Sequence, residues 1–300
     1  MDQILDQVEA DKLDYFFHSL YRAHAPLLLL DYDGTLADFR IDRFNARPWA
    51  GVREILNEIQ RDSRTQLRVI TGRPAAEINP LLQLDAPVEV WGLHGAEQLH
   101  VDGTRELEPA PREALEKLDE LREKLHRDAF GGRFEDKPNA AVMHWRGQPL
   151  QRARHIEQKA RALFEPAAQV AGLSLMPFES GIELRVGRDK GGAVEAIVEQ
   201  AETGTPVVFL GDDLTDESAF GAVNTTRNPH LSVLVRRMRR DTAAEVWLRP
   251  PGGLKWFLRQ WENALHGLPV KRLNRAAIEA SEMAGARFVA EPDSFAQDAH

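Results

Sequence analysis

Leu27-Leu28-Leu29-Leu30-Asp31-Tyr32-Asp33-Gly34-Thr35-Leu36 is the stretch on which the fold turns. A run of leucines with no polar alternation predicts a strand covered on both faces, as in a parallel sheet held between helices. Ligands of open parallel sheets bind outside the carboxyl ends of the strands, and two carboxylates stand at this one. Gly34 lets the backbone turn and approach an anion closely, so Asp31 and Asp33 can converge on one centre. A carboxylate is ionised at neutral pH and can attack phosphorus without a general base. The second carboxyl can protonate the leaving oxygen and then activate water. Taken alone, D-x-D-G also fits a simple turn or helix cap.

Working outward, further apolar runs predict strands at Leu67 to Thr71, Val88 to Leu93, Val207 to Leu210, Ser232 to Val235 and Glu245 to Leu248. Helical patterns lie between them at Trp49 to Arg61, Gly191 to Ala201, Asp213 to Val223 and Leu254 to Leu265. Alternating strands and helices indicate an α/β fold with a Rossmann-like parallel-sheet core. The middle differs. Two charged helices, near Arg112 to His126 and Leu150 to Ala168, accompany runs of period two, Ala141 to Arg146 and Gly181 to Val186. Such alternation belongs to an antiparallel sheet with one face open to solvent or ligand. The expected organisation is a discontinuous core of residues 1–103 and 187–265, an inserted α/β domain of 104–186, and a polar tail of 266–300.

Three more motifs fall at strand ends or helix starts. Thr71, Gly72 and Arg73 follow the second strand, although Thr71 before Pro74 also fits a helix cap. Lys190 stands at a helix start, where a cation and backbone amides can hold a phosphoryl group, although a Lys-Gly pair by itself is usually a solvated corner. In Gly211-Asp212-Asp213-Leu214-Thr215-Asp216-Glu217 the crowded acids repel one another unless a hard, oxygen-ligated cation such as Mg²⁺ is present. A helix dipole accounts for Asp216 and Glu217, but less well for the Asp212-Asp213 pair.

In this order the four motifs resemble the haloacid dehalogenase superfamily of phosphotransferases. The resemblance implies Asp31 as nucleophile, Asp33 as acid and base, and Thr71 and Lys190 as ligands of the transferring phosphoryl group. It further implies Mg²⁺ held by the Asp31 side chain, the Asp33 main-chain carbonyl and Asp212, with Asp213 acting through water or from behind the direct ligands. Trp91 to Glu97, Phe134 to Lys137, Val142 to Arg146 and Gly181 to Arg185 look similar to the trehalose-6-phosphate phosphatase branch, whose inserted cap reads the substrate. That likeness implies a small phosphorylated disaccharide as substrate. Its contacts are expected at Gly72, Arg73, His94, Glu135, Lys137, His144, Arg146 and Glu183. Period two places His144 with Arg146, and Glu183 with Arg185, on the polar face of their strands.

Composition removes other classes. Across 300 residues the formal net charge is −9, which disfavours nonspecific binding of nucleic acid. No apolar run approaches the ~20 residues of a membrane span, and the start of the chain shows no secretory pattern, so a cytoplasmic protein, monomeric or weakly oligomeric, is expected. With no cysteine, thiolate metal sites and cysteine nucleophiles are excluded. Two competing readings stand beside a trehalose-6-phosphate phosphatase. One is another sugar phosphatase or phosphomutase with the same cap. The other is a noncatalytic phosphate sensor, disfavoured because receiver domains are small and lack an insert.

Overall fold

The computed structural model describes residues 6–40, 42–128, 132–178 and 180–271. The first part of the chain forms α1 (Gln7–Leu20), β1 (Leu27–Leu30), α2 (Val52–Arg61), β2 (Gln66–Ile70), α3 (Ile78–Leu82), β3 (Glu89–Gly92), β4 (Glu97–Leu99) and β5 (Arg105–Leu107). There follow α4 (Arg112–Asp128), β6 (Arg133–Lys137), β7 (Ala140–His144), α5 (Leu150–Ala167), β8 (Leu173–Phe178) and β9 (Gly181–Val186). The last part is α6 (Lys190–Glu199), β10 (Val207–Gly211), α7 (Glu217–Thr225), β11 (His230–Val235), β12 (Val246–Leu248) and α8 (Gly252–Leu265).

The larger sheet has the order β12-β11-β10-β1-β2-β3-β4-β5. All neighbours from β12 to β3 are parallel, and β4 and β5 extend the edge as an antiparallel hairpin. The leucine run is explained by its position at the centre. Leu28 and Leu30 pack with Phe16, Ile55 and Trp261 of α1, α2 and α8 on one face, while Leu27 and Leu29 meet Val194 and Phe220 of α6 and α7 on the other. Both faces are dry, so no polar alternation survives.

The smaller sheet is antiparallel, in the order β6-β7-β9-β8. Its apolar face, with Met143, Ile182, Leu184 and Val186, packs on Leu118, Leu121, Ile156 and Phe164 of α4 and α5. This separate core makes the insert a layered unit of its own. The opposite face carries Glu135, Lys137, His144, Glu183 and Arg185 and turns toward the carboxyl ends of β1 to β3, where the Asn139 amide reaches Leu93 O at 3.5 Å.

Several boundaries depart from expectation for local reasons. Strand β5 keeps residues 105–107 in the larger sheet, just beyond the expected start of the insert. Helix α2 begins at Val52 rather than Trp49, because Gly51 adopts a left-handed conformation at its N-cap. The expected helix from Asp213 divides into a 3₁₀ turn, Leu214–Asp216, and α7. Strand β7 ends at His144, since Gln148 N bonds Trp145 O and turns the chain, so Arg146 lies on a loop. Helix α1, the β4–β5 hairpin, β6 and β8 are additions to the predicted elements. The expected polar tail lies outside the described residues beyond 271. No helix among the described residues is long and apolar enough to cross a membrane.

Candidate active site

Asp31 continues the ladder of β1 by donating its amide to Leu210 O at 2.9 Å, and it is buried. Its neighbour Tyr32 points into the apolar core and donates its hydroxyl to Ala46 O at 2.6 Å. That alternation leaves the side chains of Asp31 and Asp33 on the other side. Gly34 has φ +86°, and a Cβ there would stand 2.1 Å from Asp212 Oδ2. Only glycine lets the loop after β1 pass this close to the end of β10.

Lys190 joins the two acidic loops. Its Nζ donates to Asp31 Oδ1 at 2.7 Å and to Asp216 Oδ1 at 2.6 Å. The other Asp216 oxygen accepts the amides of Asp212 and Asp213 at 2.8 and 2.9 Å, which folds the acidic loop around it. Asp189 caps α6 by accepting the Gly192 amide at 2.8 Å, so Lys190 is the first residue of a capped helix. One carboxylate oxygen from each of Asp31, Asp212 and Asp216 lies within 4.8 Å of the others. Asp216, one of the acids of the motif, is thus the third carboxylate of this cluster. Asp213 is occupied in capping the 3₁₀ turn, where its Oδ1 accepts the Leu214 amide at 2.7 Å.

The electrostatics of the cluster are unbalanced. Burial raises the pKa of Asp31 from 3.8 to about 7, against the attraction of Lys190. Burial and the neighbouring Asp31 and Asp216 push Asp212 well above its ordinary value. On Lys190 burial opposes the charge, but Asp216 and Asp31 outweigh it and hold the ammonium above its usual range. With all three carboxylates ionised against one ammonium, the pocket is a net negative set of oxygen donors. That donor set suits a hard divalent cation.

Thr71 and Gly72 border the same pocket. Thr71 is buried, and its Oγ1 accepts the Arg73 amide at 3.2 Å. A Cβ at Gly72 would sit 2.6 Å from His94 Nε2, so this glycine gives His94 its place. Arg73, expected to touch substrate, instead grips Asp33 with two bonds of 2.6 Å and donates to Arg43 O at 2.6 Å. A fork of this kind fixes the carboxylate plane as well as its position.

The polar face of the insert closes the pocket from above. Lys137 pairs with Glu183 at 2.9 Å, His144 with Glu135 at 2.9 Å, and His94 approaches Glu183 at 3.6 Å. The His144 hydrogen bond, with help from Lys137, brings Glu135 down to about 2. Burial brings His94 down to about 4, so it is neutral at pH 7. Burial raises the cost of charge on Glu183, yet Lys137 and His94 hold it well below its ordinary value. Arg146 is exposed, and its guanidinium lies 5.7 Å from the Phe39 ring centroid. Between the two sheets His94 Nδ1, Glu183 Oε1 and all three guanidinium nitrogens of Arg185 are buried without hydrogen-bond partners. Sequence reasoning places Arg185 on this face but omits it from the binding residues; its sharing of a face with Glu183 is the signal that could have included it.

Comparison with known proteins bears on this geometry. A trehalose-phosphate phosphatase of Mycobacterium leprae is 29% identical over 248 residues, covering 76% of this chain and 56% of that protein. An uncharacterized glycosyl hydrolase of Mycobacterium tuberculosis is 30% identical over 258 residues, covering 80% of this chain and 18% of that protein. The chain therefore spans less than two thirds of the length of these relatives. Among solved structures, the C-terminal domain of trehalose-6-phosphate phosphatase from C. albicans superposes with a TM-score of 0.69 at 22% identity, covering 86% of this chain and 97% of that one. A haloacid dehalogenase-like hydrolase from B. subtilis gives 0.53 at 16% identity, covering 75% and 94%. These two likenesses establish the fold. The family model for trehalose-phosphatase matches residues 29–249, a span that runs from within β1 past β12 and includes Asp31, Asp33, Thr71, Lys190, Asp212 and Asp216, and the chain belongs to that family.

Proposed function

We propose that this chain is a Mg²⁺-dependent phosphatase that hydrolyses trehalose 6-phosphate to trehalose and phosphate. The observation that carries the proposal is the seam itself: an anionic, lysine-linked cluster lies beneath a sheet face with buried polar atoms lacking partners. Unpaired buried donors and acceptors are costly, and a hydroxyl-rich sugar supplies both kinds of partner at once. Family membership supports the same substrate class.

Asp31 is the proposed nucleophile. One of its oxygens bonds to phosphorus as the bond from phosphorus to the sugar oxygen breaks. Asp33 gives its proton to that leaving oxygen. In the second half Asp33 takes a proton from water, the water oxygen bonds to phosphorus, and the Asp31 carboxylate leaves with phosphate released. Lys190 and Thr71 hold the transferring group. Mg²⁺ is proposed on the carboxylates of Asp31, Asp212 and Asp216 with the Asp33 carbonyl; when bound it offsets their charge and that developing on the phosphoryl oxygens. Glu135, Lys137, His144, Arg146 and Glu183 of the insert, with His94 and Gly72 below, are the proposed sugar-facing residues. Arg73 orients Asp33, and its grip must loosen for Asp33 to carry a proton.

Phosphate release measured across a panel of sugar phosphates, with and without EDTA, tests the reading. Trehalose 6-phosphate should be the best substrate, EDTA should stop turnover, and Asp31→Asn should be inactive. Equal or faster release from glucose 6-phosphate or mannose phosphates would reassign the substrate, and undiminished turnover in Asp31→Asn would reject the mechanism.

A further inference from the structure

Arg43 lies outside every expected catalytic or sugar-binding position, yet it is the side chain that ties the two sheets together at the front of the pocket. It sits in the short 3₁₀ turn Arg43–Asn45, in the loop between β1 and α2, capped by Asp42. Its guanidinium forks. One nitrogen bonds Glu77, next to α3 under the larger sheet, and the other reaches Glu135 of β6 at 3.2 Å. Glu135 is also the partner of His144, so Arg43 bears on an ion pair that faces the pocket. Its own carbonyl accepts from Arg73 at 2.6 Å, and Arg73 holds Asp33 with both of its remaining bonds.

Charges therefore alternate along a line from the insert to the pocket: Glu135, Arg43, Glu77, Arg73, Asp33. Arg73 Nη1 completes the line at 3.6 Å from Glu77. Glu77 lies between two cations, and each of the two arginines lies between two carboxylates. Replacing Arg43 removes the one cation that Glu77 and Glu135 share, leaving Glu77 to Arg73 on one side of the seam and Glu135 to His144 on the other. Other contacts across the seam among the described residues are of a different kind: β8 lies against the 3₁₀ turn Leu214–Asp216, the Asn139 amide donates to the Leu93 carbonyl, Arg146 stacks on Phe39, and the neutral His94 stands beside Glu183. A planar fork that engages two carboxylates at once cannot be reproduced by the single point charge of lysine.

We infer that Arg43 is a positioning residue that latches the insert over the pocket, while its backbone carbonyl, which any substitution keeps, goes on accepting from Arg73. Closure of such an insert excludes water and brings its sugar-facing residues into reach. The latch bears on how a disaccharide phosphate is used and leaves a small phosphate ester, which needs no contact with the insert, unaffected. This inference rests on the proposed substrate only for its kinetic arm.

The chain has no cysteine, so spin labels can be placed solely at Arg154→Cys on α5 and Glu199→Cys on α6, both exposed. Pulsed spin-resonance distances are then compared between this labelled protein and the same protein carrying Arg43→Ala or Arg43→Lys. Arg43→Ala should add a longer-distance population, and Arg43→Lys should restore part of the short one. In parallel, kcat/KM for trehalose 6-phosphate should fall roughly fivefold in Arg43→Ala, mainly through KM, in line with a partly exposed ion-pair bridge. Hydrolysis of p-nitrophenyl phosphate should be unchanged. Unmoved label distances, or an equal loss on both substrates, would overturn the latch. If trehalose 6-phosphate is not a substrate but the labels move, the functional reading falls and the latch stands.

Discussion

Gly34 shows how a single missing Cβ sets the geometry of the pocket. Its φ of +86° is costly for any L side chain, and an added Cβ would stand 2.1 Å from Asp212 Oδ2. Gly103 is the natural comparison, since its φ is +88° and nothing lies within 4 Å of a Cβ there. Both alanine variants bear backbone strain of about 1–2 kcal/mol. Gly34→Ala must in addition displace Asp212 from Asp31 and Asp216. Phosphate release by Gly34→Ala is expected to fall on the order of 100-fold, as for an ångström-scale misplacement of a reacting group. Gly103→Ala should lose stability in urea titration while keeping its activity. Equal activity in the two variants would show that the close approach of the two loops does not position the cluster. Asp216 makes the complementary point. It was legible as one of a group of acids, but not as the residue that faces Asp31, because that depends on a 3₁₀ turn capped by Asp213.

At the scale of elements, the insert has a core that shares no residue with the cores on either side of the larger sheet. Phe164 of α5 is fully buried in it, and Phe164→Ala should cost about 3–5 kcal/mol. Because that loss falls on a separate cluster, hydrogen exchange should speed at the amides of β7 and β9 while β1 and β10 keep their protection. Uniform loss of protection would instead mean that both sheets unfold as one unit. The same separation explains what was readable in the sequence. Strands β1, β10 and β11 are buried on both faces and stand out as apolar runs, while β2 is broken by the half-buried Arg68. Strand β9 has the period of two that its apolar and polar faces demand. By contrast β4 and β5 are three residues each at a sheet edge, and β6 reads Arg133-Phe134-Glu135-Asp136-Lys137 with one apolar residue. Pairing with β7 makes β6 a strand, and that tertiary contact leaves no local pattern. Helix α1 did carry a local signal, the capping box of Asp6 and Glu9 ahead of Leu13, Phe16 and Phe17. The sugar-facing residues were readable as a polar row, whereas Arg43 was not, because its partners Glu77 and Glu135 come from distant parts of the chain.

For the whole molecule, the acidic cluster makes stability depend on pH and cations together. Asp31 is raised from 3.8 to about 7 by burial, and Asp212 is raised in the same direction by burial and its acidic neighbours. A carboxyl with a raised folded pKa binds its proton more tightly when folded, so its contribution is fully present below pH 3.8 and is lost as pH climbs to about 7. His94 works in the opposite sense. Its folded value of about 4 lies below 6.5, so the stability associated with it is lost as pH falls from 6.5 toward 4. The two slopes oppose each other over most of the range, which makes a single melting curve against pH uninformative. The difference between curves in Mg²⁺ and in EDTA removes the His94 contribution, because a cation on Asp31, Asp212 and Asp216 competes with the protons on those groups alone. That difference should be near zero at pH 5 and grow through pH 7. At a Mg²⁺ level a hundred times its dissociation constant it should reach about 2.7 kcal/mol, a rise in Tm of about 4–5 °C for a chain of this size. Asp212→Asn should shrink the difference while leaving the Lys190 bonds to Asp31 and Asp216 in place. A Tm that ignores Mg²⁺ at pH 7.5 would instead mean that Lys190 alone balances the cluster, and that the divalent cation has no place in the folded protein.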